Sequence, residues 1–336
     1  MGHIYEIFLG EQLKINSGIV SLKKKPEIED RDVVTTPTFI VRDILNETVK
    51  EFCINKTADE ILNSKFADIA CGSGAFLLET FQLLQDTLVD YYIQNDNTKL
   101  VQTGINNYKL KFEVKKQILL QCIFGVDKDF NAVEACKFGL LLKLLEDEDN
   151  LSISHPALPN IDNNIQFGNS LIESNQTTQE NQEAINPFDF GEIKFDVIVG
   201  NPPYLATEHI KKFTPAELPI YKEIFDSAYK QFDKYFVFIE RGFGLLKPNG
   251  ILGFIIPSKF AQLGAGKKLR ELLSDKTAVK KIVSFGANQI FQDKTTYTCL
   301  LILTKNEKEA LRYHEVCNLN DWKSKNYIIE YDNVEF

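Results

Sequence analysis

The sequence predicts an α/β domain built on a mostly parallel sheet with helices on both faces, and three observations carry that prediction. Between residues 64 and 305, short apolar runs of strand length alternate with amphipathic stretches of helix length. Several runs are apolar throughout, as strands covered on both sides are. The last two runs have no helix-length stretch between them, so the final strand is expected to pair antiparallel.

In chain order, FADIA (66–70) is followed by a helix with Leu77, Leu78, Phe81, Leu84 and Leu88 on one stripe. IFGVD (123–127) leads into a helix carrying Val133, Cys136, Leu140, Leu141 and Leu144. NIQFG (164–168) and FDVIVG (195–200) are two further strands, then a helix from about 226 to 246. GILGFIIP (250–257), a helix to about 274, AVKKIVSF (278–285) and TYTCLLIL (296–303) complete the pattern. Residues 94–109 and 174–187 are rich in Asn, Gln and Thr and read as surface insertions, because periodic apolar segments resume on each side. Residues 17–32 read as a connector after an N-terminal helix. In such sheets the ligand lies beyond the carboxyl ends of the strands, near the point where strand order reverses. The positions to inspect are therefore 70–74, Asp127 with Lys128, Asn169 with Ser170, and 201–204.

Composition narrows the class. The 336 residues are 44% apolar and 25% charged, an ordinary globular balance with length for one large domain or two small ones. No apolar run approaches the roughly 18–20 residues of a spanning helix. The first twenty residues lack a basic start followed by an apolar stretch, so no secretory signal and no membrane partner are expected. Cys53, Cys71, Cys122, Cys136, Cys299 and Cys317 form no CxxC pair and read as reduced, mostly buried thiols of a cytosolic protein. With 38 Lys+Arg against 47 Asp+Glu the net charge is -9, so nucleic-acid binding requires a local basic face or help from another segment. Lys23 to Lys25, Lys211 with Lys212, Lys267, Lys268 and Arg270, and Lys280 with Lys281 are the candidates, each also readable as solvated surface.

Three turns carry chemistry. In FADIACGSGAF (66–76) a strand runs into Gly72 and Gly74, and a helix opens at about Ala75, so a ligand can lie against bare backbone at the helix start. Leu77 breaks the GxGxxG spacing, and GxxxxGK[ST] is absent, which disfavours dinucleotide and P-loop binding. Asp127 ends its strand where a carboxylate can accept both hydroxyls of a ribose, though it also reads as a helix N-terminal acid. Asn169 could meet an adenine edge or simply serve a turn. In FDVIVGNPPY (195–204), Pro202 restricts Asn201 to an extended conformation, and two prolines end the strand in a rigid corner. Acceptors fixed beside the aromatic Tyr204 suit a planar amine. HExxH and Cys/His ligand spacing are absent, so no metal is expected. Cys71 reads as a small buried thiol and Trp322 as a packing residue.

ACGSGAF, a strand-ending acid and GNPPY, in that order, resemble the γ-class N6-adenine DNA methyltransferases, and more narrowly the Eco57I-like catalytic domains of type IIG restriction–modification proteins. The likeness covers nearly the whole chain. GHIYEIFLGEQL (2–13) is similar to the family's opening helix, and VVTTPTFIVRDIL (33–45) to the motif ahead of the glycine loop. FGNSL (167–171), KPNGILGFIIPSKF (247–260) and TYTCLLILTK (296–305) resemble later motifs. The resemblance implies a Rossmann-like methyltransferase fold with a mostly parallel seven-stranded sheet and antiparallel last strand. It divides the chain into a helical segment (1–62), a catalytic core (63–310) and an extension (311–336) leading toward a recognition domain or specificity subunit. The implied cofactor is S-adenosylmethionine and the implied partner double-stranded DNA, in a prokaryotic cytoplasm. Thr36 and Pro37 would close over the methionine end of the cofactor. Asp68, Ala70, Cys71, Gly72 and Gly74 would line it, Asp127 would bind its ribose with Lys128 also among the cofactor-binding residues, and Asn169 and Ser170 would face its adenine. Asn201 and the Pro202 carbonyl would hold the target amine at the corner completed by Pro203, with Tyr204 stacked on the flipped base. Ile69 stands where the family commonly has Pro, and Asn169 where it has Asp. Glutamine-amide and RNA methyltransferases share the corner, and a binding module without turnover is a further reading. The upstream Thr36-Pro37 segment and the opening GHIYE helix favour a DNA adenine enzyme over the first two, and the intact corner at Asn201 to Tyr204 argues against the last.

Overall fold

The computed structural model describes residues 11–16, 19–24, 36–148, 158–291, 296–306, 310–324 and 331–335. The chain begins there with an antiparallel pair, β1 (Glu11–Asn16) and β2 (Ile19–Lys24), in which Leu13 stands opposite Leu22 and Ile15 opposite Val20. Residues 2–10 of the expected opening helix lie outside the described residues, while 11–13 are strand and 19–24 are not a connector. The reason is visible in the period: apolar residues at 13, 15, 20 and 22 alternate every second position.

Helix α1 (Thr38–Leu45) runs on through a π turn at Asn46–Lys50. The longer elements that follow, with short helical turns at Glu51–Cys53, Ala58–Leu62 and Gln182–Ile185 among them, are β3 (Phe66–Asp68), α2 (Ala75–Asn95), the hairpin β4 (Leu100–Gly104) and β5 (Asn107–Leu110), α3 (Phe112–Cys122), β6 (Ile123–Asp127), α4 (Phe130–Leu145), β7 (Ile165–Phe167) and β8 (Phe195–Gly200). After the corner come α5 (Thr207–Phe213), α6 (Glu217–Ile224), α7 (Lys234–Leu245), β9 (Leu246–Pro257), α8 (Lys267–Asp275), β10 (Val279–Ser284), β11 (Thr298–Thr304), β12 (Ala310–Glu315), α9 (Leu319–Ser324) and β13 (Asp332–Glu335). The polar stretch at 94–109 holds the last two residues of α2, a short turn at Asn97–Lys99 and most of the exposed β4–β5 hairpin. Helix α7 begins eight residues later than its periodicity suggests, at 234 rather than 226. The preceding backbone is diverted: Glu240 takes the N–H groups of Asp226 and Ser227, and the Asp233 carboxylate accepts from Leu205.

The main sheet has nine strands in the order β13-β12-β10-β11-β9-β8-β3-β6-β7. Its parallel heart is β9-β8-β3-β6-β7, and β11 runs antiparallel to both β9 and β10, as the short connection requires. Two strands extend the expected seven: β12 pairs parallel to β10, and β13 antiparallel to β12. Both faces are covered. Ile40, Ile44, Leu77, Phe81 and Leu140 of α1, α2 and α4 pack on one side, and Phe236, Ile239, Leu269 and Leu273 of α7 and α8 on the other. Adjacent residues of β8 serve opposite layers, Val197 and Val199 one, Ile198 the other, which is why FDVIVG reads as a continuous apolar run. Strand order reverses at β3: β6 and β7 lie on one side of it, β8 and β9 on the other. The carboxyl ends of β3 and β8 therefore bring the glycine loop and residue 201 to the same edge of the sheet, where strand order predicts a ligand crevice.

Candidate active site

The glycine loop leaves β3 after Asp68 and turns on two residues in the left-handed region, Gly72 (φ +51°) and Gly74 (φ +89°). The Cys71 carbonyl accepts from Gly74 N–H at 2.8 Å, and Cys71 N–H donates to Val126 O at 3.1 Å. A Cβ on Gly74 would stand 2.5 Å from Cys136 Sγ, so glycine here lets α2 start against α4. A Cβ on Gly72 would meet nothing within 4 Å. That open space is where a ligand can approach the loop backbone.

Asp127 closes the loop from the end of β6. Its Oδ2 accepts Gly72 N–H at 2.8 Å and its Oδ1 accepts Asp129 N–H at 2.9 Å. Burial raises its pKa although the backbone N–H groups of Asp129, Gly72 and Lys128 favour the charged form. A carboxylate carries about four lone-pair sites, so capacity remains for a ligand hydroxyl. Asp68, 2% exposed, accepts Ala70 N–H at 3.0 Å, and burial pushes its pKa up to about 8. Its Oδ1 would lie 2.6 Å from a Cβ on Gly200, which is why the last residue of β8 is glycine. Asp68 thus wedges between the glycine loop and the corner.

Ser170 is turned inward, its hydroxyl donating to Ile69 O at 2.6 Å, and Arg241 secures the same loop through Ser170 O and Glu173. It shapes the loop from beneath instead of facing outward. Asn169 is buried; its Oδ1 accepts Leu171 N–H at 3.2 Å, while its Nδ2 makes no hydrogen bond among the described residues. Lys128 is drawn aside into an ion pair with Glu217. Cys71 is buried, and hydrogen bonding to Cys136 together with burial holds its thiol far above the ordinary range.

The corner at 201–204 follows directly on β8. Asn201 Nδ2 donates to Thr36 Oγ1 at 3.0 Å, so the upstream Thr36-Pro37 segment meets the corner itself. Asn201 Oδ1 is buried and has no hydrogen-bond partner among the described residues. Pro202 is buried, Pro203 exposed and Tyr204 half-buried. Tyr204 donates its hydroxyl to Ile255 O at 3.0 Å and packs edge-on against Tyr235, with ring centroids 6.0 Å apart. Residues 205–207 are gripped by 232–234: Asp233 accepts Leu205 N–H at 2.8 Å, and Lys234 N–H donates to Leu205 O at 2.9 Å. Neither Asp233 nor Glu217 stood out in the sequence. The signal for Glu217 was its place four residues before Tyr221, on the buried stripe of α6 with Leu218 and Ile220 close by.

Of the basic clusters, Lys280 pairs with Glu51, Lys281 with Glu47, and Lys267 and Lys268 with Glu271. Arg270 spends Nη1 on the carbonyls of Phe260 and Leu263. Trp322 is buried, donating to Asp43 Oδ2 at 2.6 Å. Among the described residues no group of three or more His, Cys, Asp or Glu could hold a metal ion, and no helix is long and apolar enough to cross a membrane.

Comparison with known proteins follows the same lines. The chain is 56% identical over 329 residues to the type II restriction enzyme and methyltransferase RM.Eco57I of Escherichia coli, a match covering 97% of this chain and 33% of that protein. It spans about a third of that relative's length. Among solved structures it resembles the DrdV–DNA complex, with TM-score 0.61, 16% identity, and 91% of this chain and 30% of that chain covered. A Listeria monocytogenes protein described as a class I S-adenosylmethionine-dependent methyltransferase matches with TM-score 0.52 and 15% identity, over 85% of this chain and 67% of that one. These likenesses identify the fold as the Rossmann-like methyltransferase fold. The model of the Eco57I restriction-modification methylase family matches residues 121–291, half of the sequence and the stretch from β6 through the corner to β10. The chain belongs to the Eco57I restriction-modification methylase family.

Proposed function

We propose that this chain transfers a methyl group from S-adenosylmethionine to the exocyclic N6 amine of an adenine flipped out of duplex DNA, as the modification activity of a restriction–modification protein. The single observation that carries the reading is Asn201 Oδ1, a buried acceptor with no hydrogen-bond partner among the described residues, on an amide whose other end is fixed by Thr36. Leaving a buried acceptor unsatisfied costs about 1–3 kcal/mol, so its retention at the carboxyl end of β8 supports a donor supplied by substrate.

The residues fit the cofactor. Gly72 has free space beside its backbone, Asp127 has lone-pair capacity for ribose hydroxyls, and Asn169 Nδ2 is a buried donor with no hydrogen bond among the described residues, suited to an adenine edge. Bound there, the cofactor supplies an electrophilic methyl group on a sulfonium. The N6 lone pair of adenine is delocalised into its ring and nucleophilic only weakly. Asn201 Oδ1 would accept one N–H and the Pro202 carbonyl the other, favouring a pyramidal nitrogen with its lone pair aimed across the crevice. Orientation of this kind can supply roughly 7–11 kcal/mol at best. The amine proton becomes acidic only after the methyl has arrived, so no strong base is needed at the outset. The target amine is inaccessible within a duplex, hence the flip. Stacking on Tyr204 would offset part of its cost, about 1–3 kcal/mol. The ion-paired state of Lys267, Lys268, Lys280 and Lys281 supports a division of labour in which another domain or subunit makes the sequence-reading and most phosphate contacts.

Incubating the chain with cofactor labelled in the transferable methyl group and mixed-sequence duplex DNA, then digesting to nucleosides, tests this. Label is expected in N6-methyldeoxyadenosine and absent with Asn201→Ala. Label on another base, or none above the Asn201→Ala background, overturns the reading.

A further inference from the structure

Glu217 opens α6 at 1% exposure, and three side chains converge on it. Lys128, from the end of β6, ion-pairs with Oε1. Lys234, from the start of α7, reaches Oε2 at 3.1 Å, and Tyr221, one turn along α6, donates its hydroxyl to Oε2 at 2.7 Å. Against burial, which raises it, Lys234 and Lys128 bring the Glu217 carboxyl down to about 2.

Each partner adjoins a different half of the active site. Lys128 follows Asp127, which holds Gly72 N–H and so the glycine loop. Lys234 follows Asp233, and these two residues occupy both backbone polar groups of Leu205, the residue after Tyr204. One carboxylate therefore braces the cofactor loop on one side and the catalytic corner on the other. Stability is a poor account of the arrangement: replacing buried ion pairs by well-packed apolar residues is often neutral or stabilising. Coupling of the two halves is a better one.

We propose that Glu217 is a positioning residue that couples cofactor binding to binding of the target base. The proposal rests on the methyl-transfer reading above. Occupation of the glycine loop fixes Asp127 and Lys128, Glu217 passes that order to Lys234, and residues 233–234 hold the corner ready. By linkage the effect is reciprocal: DNA tightens cofactor binding by the same factor.

The test titrates S-adenosylhomocysteine, the demethylated product of the cofactor, into this chain by calorimetry, alone and saturated with an adenine-containing duplex. In the native chain the duplex is expected to tighten binding by a factor in the range of about 5–150. Glu217→Gln, isosteric and uncharged, and Lys234→Met, on the side away from the cofactor, should each bring that ratio to within about twofold of one (on the same scale of coupling). Should Glu217→Gln fail to fold, Lys234→Met carries the test, because it leaves the Lys128–Glu217 pair intact. A purely structural role would lower the melting temperature and shift both affinities equally, leaving the ratio untouched; that result overturns the proposal. So does a native chain in which the duplex has no effect. Methylation of adenine with a ratio of one sinks the coupling alone, whereas full coupling without N6-methyldeoxyadenosine sinks the methyl-transfer reading.

Discussion

The two halves of the crevice spend their polar groups differently. On the glycine-loop side, where the proposal seats the cofactor, most side chains are engaged with the protein: Asp127 holds Gly72 and Asp129, Asp68 holds Ala70, Ser170 holds Ile69, and Lys128 is paired with Glu217. That half offers a ligand backbone made reachable by Gly72 and Gly74, with the remaining lone-pair capacity of Asp127 and the Asn169 Nδ2 donor. On the corner side the backbone is clamped by Asp233 and Lys234, and the group left over is a side-chain acceptor, Asn201 Oδ1. On the proposed reading, the cofactor meets a preformed cradle, whereas the amine to be reshaped meets a fixed group that gains its partner only when substrate arrives.

The sharpest way to break this comparison is Asn201→Ala. Losing one oriented hydrogen-bonding group at a reacting centre costs about 10²–10³-fold in rate. We expect at least that loss in methyl transfer, with cofactor affinity nearly unchanged. An equal loss of cofactor binding, measured by equilibrium titration, would show that the halves are not separable.

The next largest effects lie in the loop and distinguish its two glycines. Gly74→Ala faces Cys136 Sγ at 2.5 Å as well as a left-handed backbone. The left-handed penalty is about 1–2 kcal/mol and overpacking adds typically about 1–3 kcal/mol. Gly72→Ala carries the backbone penalty alone, and its methyl group projects into the open space beside the loop. Thermal melts should rank Gly74→Ala as clearly the less stable, while cofactor titration should show a loss for Gly72→Ala exceeding what its smaller stability change explains. The reverse ranking would place the ligand elsewhere.

Most of the parallel sheet, the antiparallel β11, both glycines and the corner were legible in the sequence, because each depends on local chemistry: apolar runs, turn glycines and a proline-braced stop. Residues whose partners lie far along the chain were not. Glu217 and Lys128 are 89 residues apart, and Asn201 and Thr36 are 165 apart, so no local period marks them. Ser170 was placed at the right strand end, but which way its hydroxyl turned was decided by the free carbonyl of Ile69, 101 residues upstream. The β1–β2 alternation was available at residues 13, 15, 20 and 22 and was overridden by the expectation of a helix. The start of α7 was unreadable for a third reason, because Glu240 and Asp233 capture backbone groups that periodicity alone assigns to the helix.

A smaller effect sharpens the electrostatics of the cofactor side. Asp68 has a pKa of about 8 in the fold, raised by burial with a lesser contribution from Asp127 and opposed by the Ala70 N–H, against an ordinary value near 3.8 when unfolded. The native state keeps this proton where the unfolded chain has released it. Asp68 therefore favours folding fully below about pH 4, and that contribution is lost as pH rises through about 8. Asp68→Asn cannot ionise, so its melting temperature should vary less with pH between 4 and 8 than that of the native chain. Each tenfold change in acidity is worth about 1.4 kcal/mol, so the two curves should diverge by a few kcal/mol across the window. Parallel curves would mean that Asp68 is charged in the fold.

The smallest expected effect belongs to Cys71, the thiol of the loop. Its thiol is buried and held protonated, contacting Cys136 and lying within 3.1 Å of where a Cβ on Gly125 would stand. A thiol in that state is neither nucleophile nor ready target for alkylation. Cys71→Ala should cost about 1 kcal/mol of stability, the scale of a small buried deletion. Methyl transfer should stay within about twofold of the native rate, a change of only a few tenths of a kcal/mol. Iodoacetamide should modify exposed Cys317 long before Cys71, with activity retained. If instead alkylation at Cys71 is fast, or Cys71→Ala abolishes transfer while the fold survives, the cofactor side holds a reacting group. The contrast between a cradle of backbone and a corner of side-chain chemistry would then fall.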